Sequence, residues 1–300
     1  MNTAREKVGL IGLGIMGSAM SANLVKAGFE VIGTDILPEP RANLTKAGGK
    51  VVDSTAEVGK TCRHIIISIA SIPALQTICE ELAGSAVAGT IVMETGTLPL
   101  ADKQKARAIL AKRDIVLLDC PLSGTGAQAK TKDLVVYASG EAAAIEKMAP
   151  VMAGFARGYY NVGEFGNGTR MKFVANLLVA IHNVAAAEAI LLGSRMGLDP
   201  MEIVKVIGDG AGASRMFQVR GPMMASRTWD EEITMSNKVW QKDMHVIGDA
   251  VQAAGVPAPL FSACIPIYLA AVSGGHAGHD TGAVYEILER MASDPAARKS

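Results

Sequence analysis

The run Val8-Gly9-Leu10-Ile11-Gly12-Leu13-Gly14-Ile15-Met16-Gly17 constrains this 300-residue chain more than any other feature. An apolar stretch leads straight into Gly-x-Gly-x-x-Gly, the spacing of a strand-to-helix turn that holds a pyrophosphate. Gly12 serves the tight turn, Gly14 the close approach of backbone to phosphate, and Gly17 the packing of helix on strand. The anion then rests at a helix N-terminus, where free N–H groups and the dipole favour it. A second apolar run, Glu30-Val31-Ile32-Gly33-Thr34-Asp35, ends in an acid 23 residues after Gly12. An acid there accepts both hydroxyls of a ribose and repels a 2′-phosphate. Gly12, Leu13, Gly14, Ile15, Met16 and Asp35 therefore read as a cofactor site for NAD, with NADP possible. The nearest arginine that could take a 2′-phosphate is Arg41. By itself the glycine spacing also fits an ordinary βαβ unit, or an FAD- or SAM-type site.

Up to about residue 162 short β runs alternate with helical stretches. Strands are expected at 7–13, 30–35, 64–69, 90–94, 115–120, 134–139 and 158–162, with helices at 15–27, 72–82 and 100–112 among them. Continuous apolar strands alternating with helices imply an α/β fold, a doubly wound parallel sheet covered on both faces. From residue 163 the pattern changes. A glycine-rich loop precedes a long helix at about 169–196, and every later element reads as helical: 201–209, 221–225, 237–254, 259–273 and 282–291. The expected organisation is a Rossmann-type domain over 1–162, then an all-α domain over 163–300 that begins with the long interdomain helix.

Formal net charge is zero, so nothing points to nucleic acid or an anionic membrane surface. The stretch 173–192 is long enough to span a bilayer, but Asn176, His182, Asn183 and Glu188 interrupt it and argue for a buried helix. Four scattered cysteines without a CxxC pair read as reduced thiols of a cytoplasmic protein. The first residues lead directly towards the first strand and show no signal peptide.

Several residues could carry chemistry. Lys172 and Asn176, at i,i+4, share one helix face, and Asn183 falls two turns further on. A lysine shielded from water loses part of its preference for the charged form and can exchange a proton with a carbonyl or alcohol. Spacing alone equally allows a lysine snorkelling from a helix end. Small residues after the run at 115–120, notably Ser123, Gly124 and Thr125, could offer N–H groups and hydroxyls to a carboxylate or oxyanion. They could also form a plain strand-to-helix turn. Lys238 and Lys242 would ordinarily be a solvated helix face. His276 and His279 lack a third ligand at zinc-site spacing, so no metal is expected, and Asp280 suits the N-cap of the last helix.

Taken together, these segments resemble the β-hydroxyacid dehydrogenase family over essentially the whole chain. Its glycine motif is Gly12-Leu13-Gly14-Ile15-Met16-Gly17. Its substrate motif, Asp-x-Pro-x-Ser-Gly-Gly, appears as Asp119-Cys120-Pro121-Leu122-Ser123-Gly124-Thr125. Its Gly-x-x-Gly-x-Gly-x-x-x-Lys-x-x-x-Asn motif appears as Gly163, Gly166, Gly168, Lys172 and Asn176, and its late Lys-Asp pair as Lys242-Asp243. The resemblance implies a hydride transfer between NAD(P) and a small carboxylate substrate. Lys172 would be the acid/base, and Ser123, Gly124, Thr125 and Asn176 would lie at the substrate. Thr97 would lie near the nicotinamide ribose, in the imperfectly matching Thr95-Gly96-Thr97, and Lys242 over the nicotinamide. It also implies a homodimer or homotetramer. Thr125 departs from the family's second glycine, and Met235 stands where some semialdehyde reductases carry an aromatic residue; both bear on substrate identity. Imine reduction on the same scaffold, or a non-catalytic binding protein, are the rival readings.

Overall fold

The computed structural model describes residues 6–292. Six parallel strands, β1 (Lys7–Ile11), β2 (Glu30–Thr34), β3 (Lys50–Val51), β4 (His64–Ile67), β5 (Ile91–Glu94) and β6 (Val116–Asp119), lie in the order β3-β2-β1-β4-β5-β6. Val8 pairs with Val31 on one side and His64 on the other, so the direction of winding reverses between β1 and β4. Ligands of such sheets bind beyond the carboxyl ends of the strands, at that reversal. The strands are apolar on both faces because both are covered. Leu10, Ile66, Met93 and Leu118 belong to one core. Ile65, Ile67, Val92 and Leu117 belong to the other. The covering helices are α1 (Ile15–Lys26), α2 (Pro38–Lys46), α3 (Thr55–Thr61), α4 (Ile72–Ser85), α5 (Leu100–Ala111), α6 (Gly126–Lys130) and α7 (Ala142–Phe155). Side chains start several of them: Ser54 accepts from Glu57 N in α3 and Ser71 from Ala74 N in α4.

The strands expected at 134–139 and 158–162 do not extend this sheet. With a short strand not foreseen, they form a second one: β7 (Leu122–Ser123) antiparallel to β8 (Val135–Ala138), and β8 parallel to β9 (Gly158–Asn161). The reason lies at Asp119, which exchanges both backbone hydrogen bonds with Ser139 in antiparallel fashion, at 3.0 and 2.9 Å. That bridge stops parallel growth at β6.

The chain divides into two compact units, the first ending at Lys172 and the second beginning at Phe173. The boundary falls inside α8 (Asn167–Arg195), whose first turns belong with the sheet. The second unit continues with α9 (Pro200–Gly208), α10 (Arg215–Ser226), α11 (Asn237–Ala254), α12 (Pro259–Ala271) and α13 (Val284–Met291), with a π turn at Val272–His276 and a 3-10 turn at Thr281–Ala283. Ala180, Val184, Ala187 and Ile190 of α8 pack in a core with Phe217, Trp240, Ile247, Phe261 and Tyr268. By length and apolarity alone α8 could cross a bilayer. Its buried Asn183, however, donates to Tyr268 Oη and to the Thr281 carbonyl, both at 3.0 Å. The expected helix at 221–225 is the end of the longer α10. Ser214 caps α10 by accepting from Phe217 N, and Gly221-Pro222 lies inside it instead of breaking it. The Arg220 guanidinium there is buried against Asp280 at 2.9 Å. All four cysteines are free and buried; burial pushes the thiols of Cys62 and Cys79 up to about 12 and that of Cys264 to about 11.

Candidate functional site

The turn from β1 to α1 is built by two glycines that the protein itself requires. Gly12 has φ +89°, and a Cβ there would lie 2.3 Å from the Ser68 carbonyl oxygen. A Cβ on Gly17 would lie 2.0 Å from the Gly12 carbonyl oxygen. Gly14 differs: no atom lies within 4 Å of the Cβ position. That open space faces the first turn of α1, and no side chain caps the helix. A helix start without a side-chain cap, beside a glycine with room around it, fits a bound pyrophosphate. Asp35 secures the turn, its Oδ2 accepting from Leu13 N at 2.6 Å and its Oδ1 from Leu37 N at 2.9 Å. Each carboxylate oxygen keeps a lone pair for a ribose hydroxyl. Arg41 forms an ion pair with Asp53. The Leu13 side chain is fully buried in the core and its N–H is committed to Asp35, so it borders the turn with its backbone alone. Ile15 is 64% exposed and Met16 half-buried.

Beyond the carboxyl ends of β5 and β6 lie the other candidates of the first unit. Thr97 is half-buried after Gly96, while the Thr95 hydroxyl donates to the Ile67 carbonyl at 2.9 Å. Ser123 ends β7, half-buried. Gly124 has φ +138°, with the Leu134 side chain 2.6 Å from where a Cβ would be. Thr125 is the N-cap of α6 in a full capping box: its Oγ1 accepts from Gln128 N and its N–H donates to Gln128 Oε1 at 3.0 Å. The hydroxyl keeps its own hydrogen for a further partner, and the side chain that replaces glycine at this position also has a local use as a helix cap.

The helix carrying Lys172 and Asn176 starts hard against the strands. A Cβ on Gly168 would lie 2.5 Å from the Tyr137 carbonyl and 2.6 Å from that of Asp119. Asp119 closes the first turn, its Oδ2 accepting from Thr169 N at 2.7 Å and its Oδ1 from Thr169 Oγ1 at 2.8 Å. Lys172 is half-buried one turn later. In the second unit, Asn176 is 4% exposed and its Nδ2 donates to Asp243 Oδ2 at 3.0 Å. Lys242 Nζ donates to Asp243 Oδ1 at 2.6 Å. One buried carboxylate thus unites two candidates that the sequence leaves 66 residues apart. The sequence reading gave no role to Asp243; its signal was the Lys-Asp pair itself. Lys238 is exposed, as an ordinary helix face would be. His276 Nδ1 meets His279 Nδ1 at 3.0 Å, and among the described residues no three His, Cys, Asp or Glu side chains converge as metal ligands. Asp280 caps the 3-10 turn before α13, accepting from Gly282 N.

Sheet order, glycine turn and terminal acid define a Rossmann-type dinucleotide-binding protein with a helical C-terminal unit. Residues 7–163 match the NAD binding domain of 6-phosphogluconate dehydrogenase. Residues 166–288 match the NAD-binding domain of NADP-dependent 3-hydroxyisobutyrate dehydrogenase. The chain is 31% identical to L-threonate dehydrogenase of Cupriavidus necator, covering 94% of this chain and 96% of that one. The structure of 3-hydroxyisobutyrate dehydrogenase from Salmonella typhimurium aligns with a TM-score of 0.85 at 28% identity, covering 94% of this chain and 99% of that one. An imine reductase from Myxococcus stipitatus, 16% identical with a TM-score of 0.59 over 95% of this chain and 99% of that one, shares the fold alone. The chain belongs to the β-hydroxyacid dehydrogenase family of NAD(P)-dependent oxidoreductases.

Proposed function

We propose that this chain moves a hydride reversibly between NAD and a small β-hydroxy acid or the matching aldehyde or keto acid, with Lys172 as general acid/base. The observation that carries this reading is the placement of Lys172 one turn beyond the Asp119-bound start of α8. That start lies past the carboxyl end of β6, in the same sheet whose β1 feeds the glycine turn. The residues of the turn fit the dinucleotide, with Gly12, Gly14, Ile15 and Met16 along the pyrophosphate and Asp35 at the ribose. When bound, it supplies or takes the hydride. Lys172 gives a proton to the carbonyl oxygen in reduction and removes one from the alcohol in oxidation. The Ser123 hydroxyl and the Gly124 N–H grip the substrate carboxylate. Asn176, with one amide hydrogen committed to Asp243, serves the lysine or the reacting oxygen with its remaining polar atoms. Thr97 and Lys242 serve the nicotinamide side.

Asp35 and the engagement of Arg41 by Asp53 favour NAD over NADP. Relatives named for threonate and 3-hydroxyisobutyrate support a short, carboxylate-bearing substrate. The four buried thiols support a cytoplasmic location, and a zero formal charge supports the absence of nucleic-acid partners. Leu192, Met196, Leu198, Val206 and Ile207 border an apolar groove of about 640 Å³ in the helical unit, which supports a homodimer or homotetramer; light scattering tests this.

The experiment is an absorbance screen of both reduced and oxidised cofactors against 3-hydroxyisobutyrate, glycerate, 4-hydroxybutyrate, threonate and sulfonated analogues, with a cyclic imine as the rival arm. On the best substrate, Lys172→Ala should lose about 100-fold or more in turnover while still binding NAD by titration. Retained turnover would remove Lys172 from its role.

A further inference from the structure

The carboxyl ends of β5 and β6 hold a buried ionic cluster of which the reading above uses only Asp119. Glu94 closes β5, Asp119 closes β6, and Lys103 reaches in from α5; all three side chains are fully buried. Lys103 Nζ lies 2.7 Å from Glu94 Oε2, 2.7 Å from Asp119 Oδ1 and 2.8 Å from the Gly96 carbonyl oxygen. The ammonium donates hydrogen bonds to Asp119 Oδ1 and to the Gly96 carbonyl, while Glu94 Oε2 lies at ion-pair distance. Each acceptor then extends into a segment of the candidate site. Glu94 Oε1 accepts from Gly96 N at 2.7 Å, so the cluster holds both backbone polar groups of Gly96. A side chain at 96 has no room, since its Cβ would fall 2.6 Å from Glu94 Oε1 and 2.6 Å from the Ile69 carbonyl. The loop at 95–97 is thus shaped by the carboxylate beneath it. Asp119 takes the Thr169 N–H and hydroxyl, and the Ser139 hydroxyl lies 3.3 Å from its Oδ2. The Ser139 oxygen in turn accepts from Gly168 N at 3.0 Å.

Two carboxylates and one ammonium without water are costly, and apolar side chains of the same volume would fill the space without that cost. Burial pushes the Glu94 carboxyl up even beside Lys103, whereas the two carboxylates outweigh burial at Lys103 and raise it. What the cluster adds is direction, because each of its hydrogen bonds, to Asp119, to the Gly96 carbonyl and from Gly96 N to Glu94, has one donor, one acceptor and one geometry.

We infer that Lys103 is a positioning residue: its single buried ammonium sets the loop at 95–97 and the first turn of α8 together, and with that turn the amine of Lys172. The kinetic half of this inference rests on the acid/base reading of Lys172; the structural coupling does not. The test uses Lys103→Met and the double variant Lys103→Met/Glu94→Gln, which removes one carboxylate charge along with the cation. Amide hydrogen exchange is read by mass spectrometry on the full chain without substrate. The expected result is a folded protein by circular dichroism in which exchange at 95–98 and 167–171 rises together by about tenfold, with α11 unchanged. At saturating NAD, kcat should fall about 100-fold, the scale of a 1 Å misplacement, with KM for the hydroxy acid shifted by roughly threefold at most. Loosening of one segment alone, or an unchanged kcat in a folded variant, overturns the inference. So does failure of both variants to fold, which would make the cluster a prop of the fold and nothing more. Exchange is read without turnover, so a fully active Lys172→Ala would sink the acid/base reading and leave the coupling to be judged on exchange.

Discussion

Replacing Asp243 by asparagine keeps the shape of a buried junction and changes its chemistry. Its Oδ2 accepts from Asn176 Nδ2 at 3.0 Å and its Oδ1 from Lys242 Nζ at 2.6 Å. An asparagine retains one acceptor and turns the other position into a donor, which must then face either the Asn176 amide nitrogen or the Lys242 ammonium. One contact is lost in either orientation unless the Asn176 amide flips to present its oxygen, which reverses its remaining donor and acceptor. A hydrogen bond to a charged group is worth about 1.5–3 kcal/mol net. The Lys242 side chain is 31% exposed, so water compensates part of its loss, whereas Asn176 is buried and has less recourse. With tenfold in rate for each 1.36 kcal/mol, a loss of about 1.5–3 kcal/mol from the placement of Asn176 and Lys242 lowers kcat/KM by about 10- to 150-fold. The assay compares the wild-type chain, Asp243→Asn, Asn176→Ala and the double variant, at saturating cofactor on the substrate the screen selects. Once Asn176 is gone, Asp243→Asn has less to disturb, and its cost should shrink by about 1 kcal/mol or more. Costs that add within about 0.3–0.5 kcal/mol, in variants that melt cooperatively, would refute the reasoning, because Asn176 would then not depend on Asp243.

Three further outcomes follow from single contacts. Asp35→Ala should weaken NAD binding more than NADP binding in calorimetric titrations, and equal losses would undo the cofactor preference. Gly168→Ala forces a methyl against two carbonyl oxygens, at 2.5 and 2.6 Å, and should destabilise the chain by about 1–3 kcal/mol in denaturant titration; an unchanged midpoint would contradict the close approach. Asp280→Asn leaves the buried Arg220 guanidinium without its counter-charge, a change that typically costs about 3–5 kcal/mol. At Asp280 burial raises the carboxyl, but the Arg220 charge and the hydrogen bonds from Thr234 and Gly282 outweigh it and hold it below the usual carboxylate range. A depressed folded pKa gives stability that is present above the unfolded value of about 3.9 and is lost as pH falls through the folded one. The gap between wild type and Asp280→Asn should therefore hold from neutrality to about pH 4 and narrow below it. A gap independent of pH would show that the carboxylate's charge is not the stabilising element.

The parallel sheet was legible because its strands are apolar on both faces, and Leu10, Ile66 and Met93 alternate with Ile65, Ile67 and Val92. The glycine turn was legible because its glycines answer steric demands made by nearby backbone at Ser68 and Gly12. The second sheet was not, since nothing local in 134–139 distinguishes a strand that continues a sheet from one bridged antiparallel to Asp119. The boundary of α10 was hidden because Gly221-Pro222 carries the signature of a break, which the burial of Arg220 against Asp280 overrides. The cluster at Lys103 left no spacing signal at all: its partner Asp119 is 16 residues away, on another element. A lysine in α5 with charged neighbours reads as a solvated face until the sheet places two carboxylates under it. The capping use of Thr125 was hidden for a related reason: a family pattern marks the position, but only the local helix shows that its hydroxyl accepts from Gln128 N.

The long helix shows how an apolar sequence can carry a polar task. Most of α8 satisfies only the demand for burial, and that demand leaves its rotation about its own axis weakly fixed, because alanine, valine and isoleucine offer similar surface on adjacent faces. Buried amides remove that freedom, since each left unbonded would cost about 1–3 kcal/mol. Asn183 is bonded to Tyr268 and Thr281, and Asn176 to Asp243. Seven residues separate the two, which is close to two full turns, so both amides lie on one stripe of the helix. The tie that seats α8 in the helical core therefore also sets the facing of Asn176. The polar residues that argue against a membrane span are thus the ones that fix how this helix is seated in the helical core.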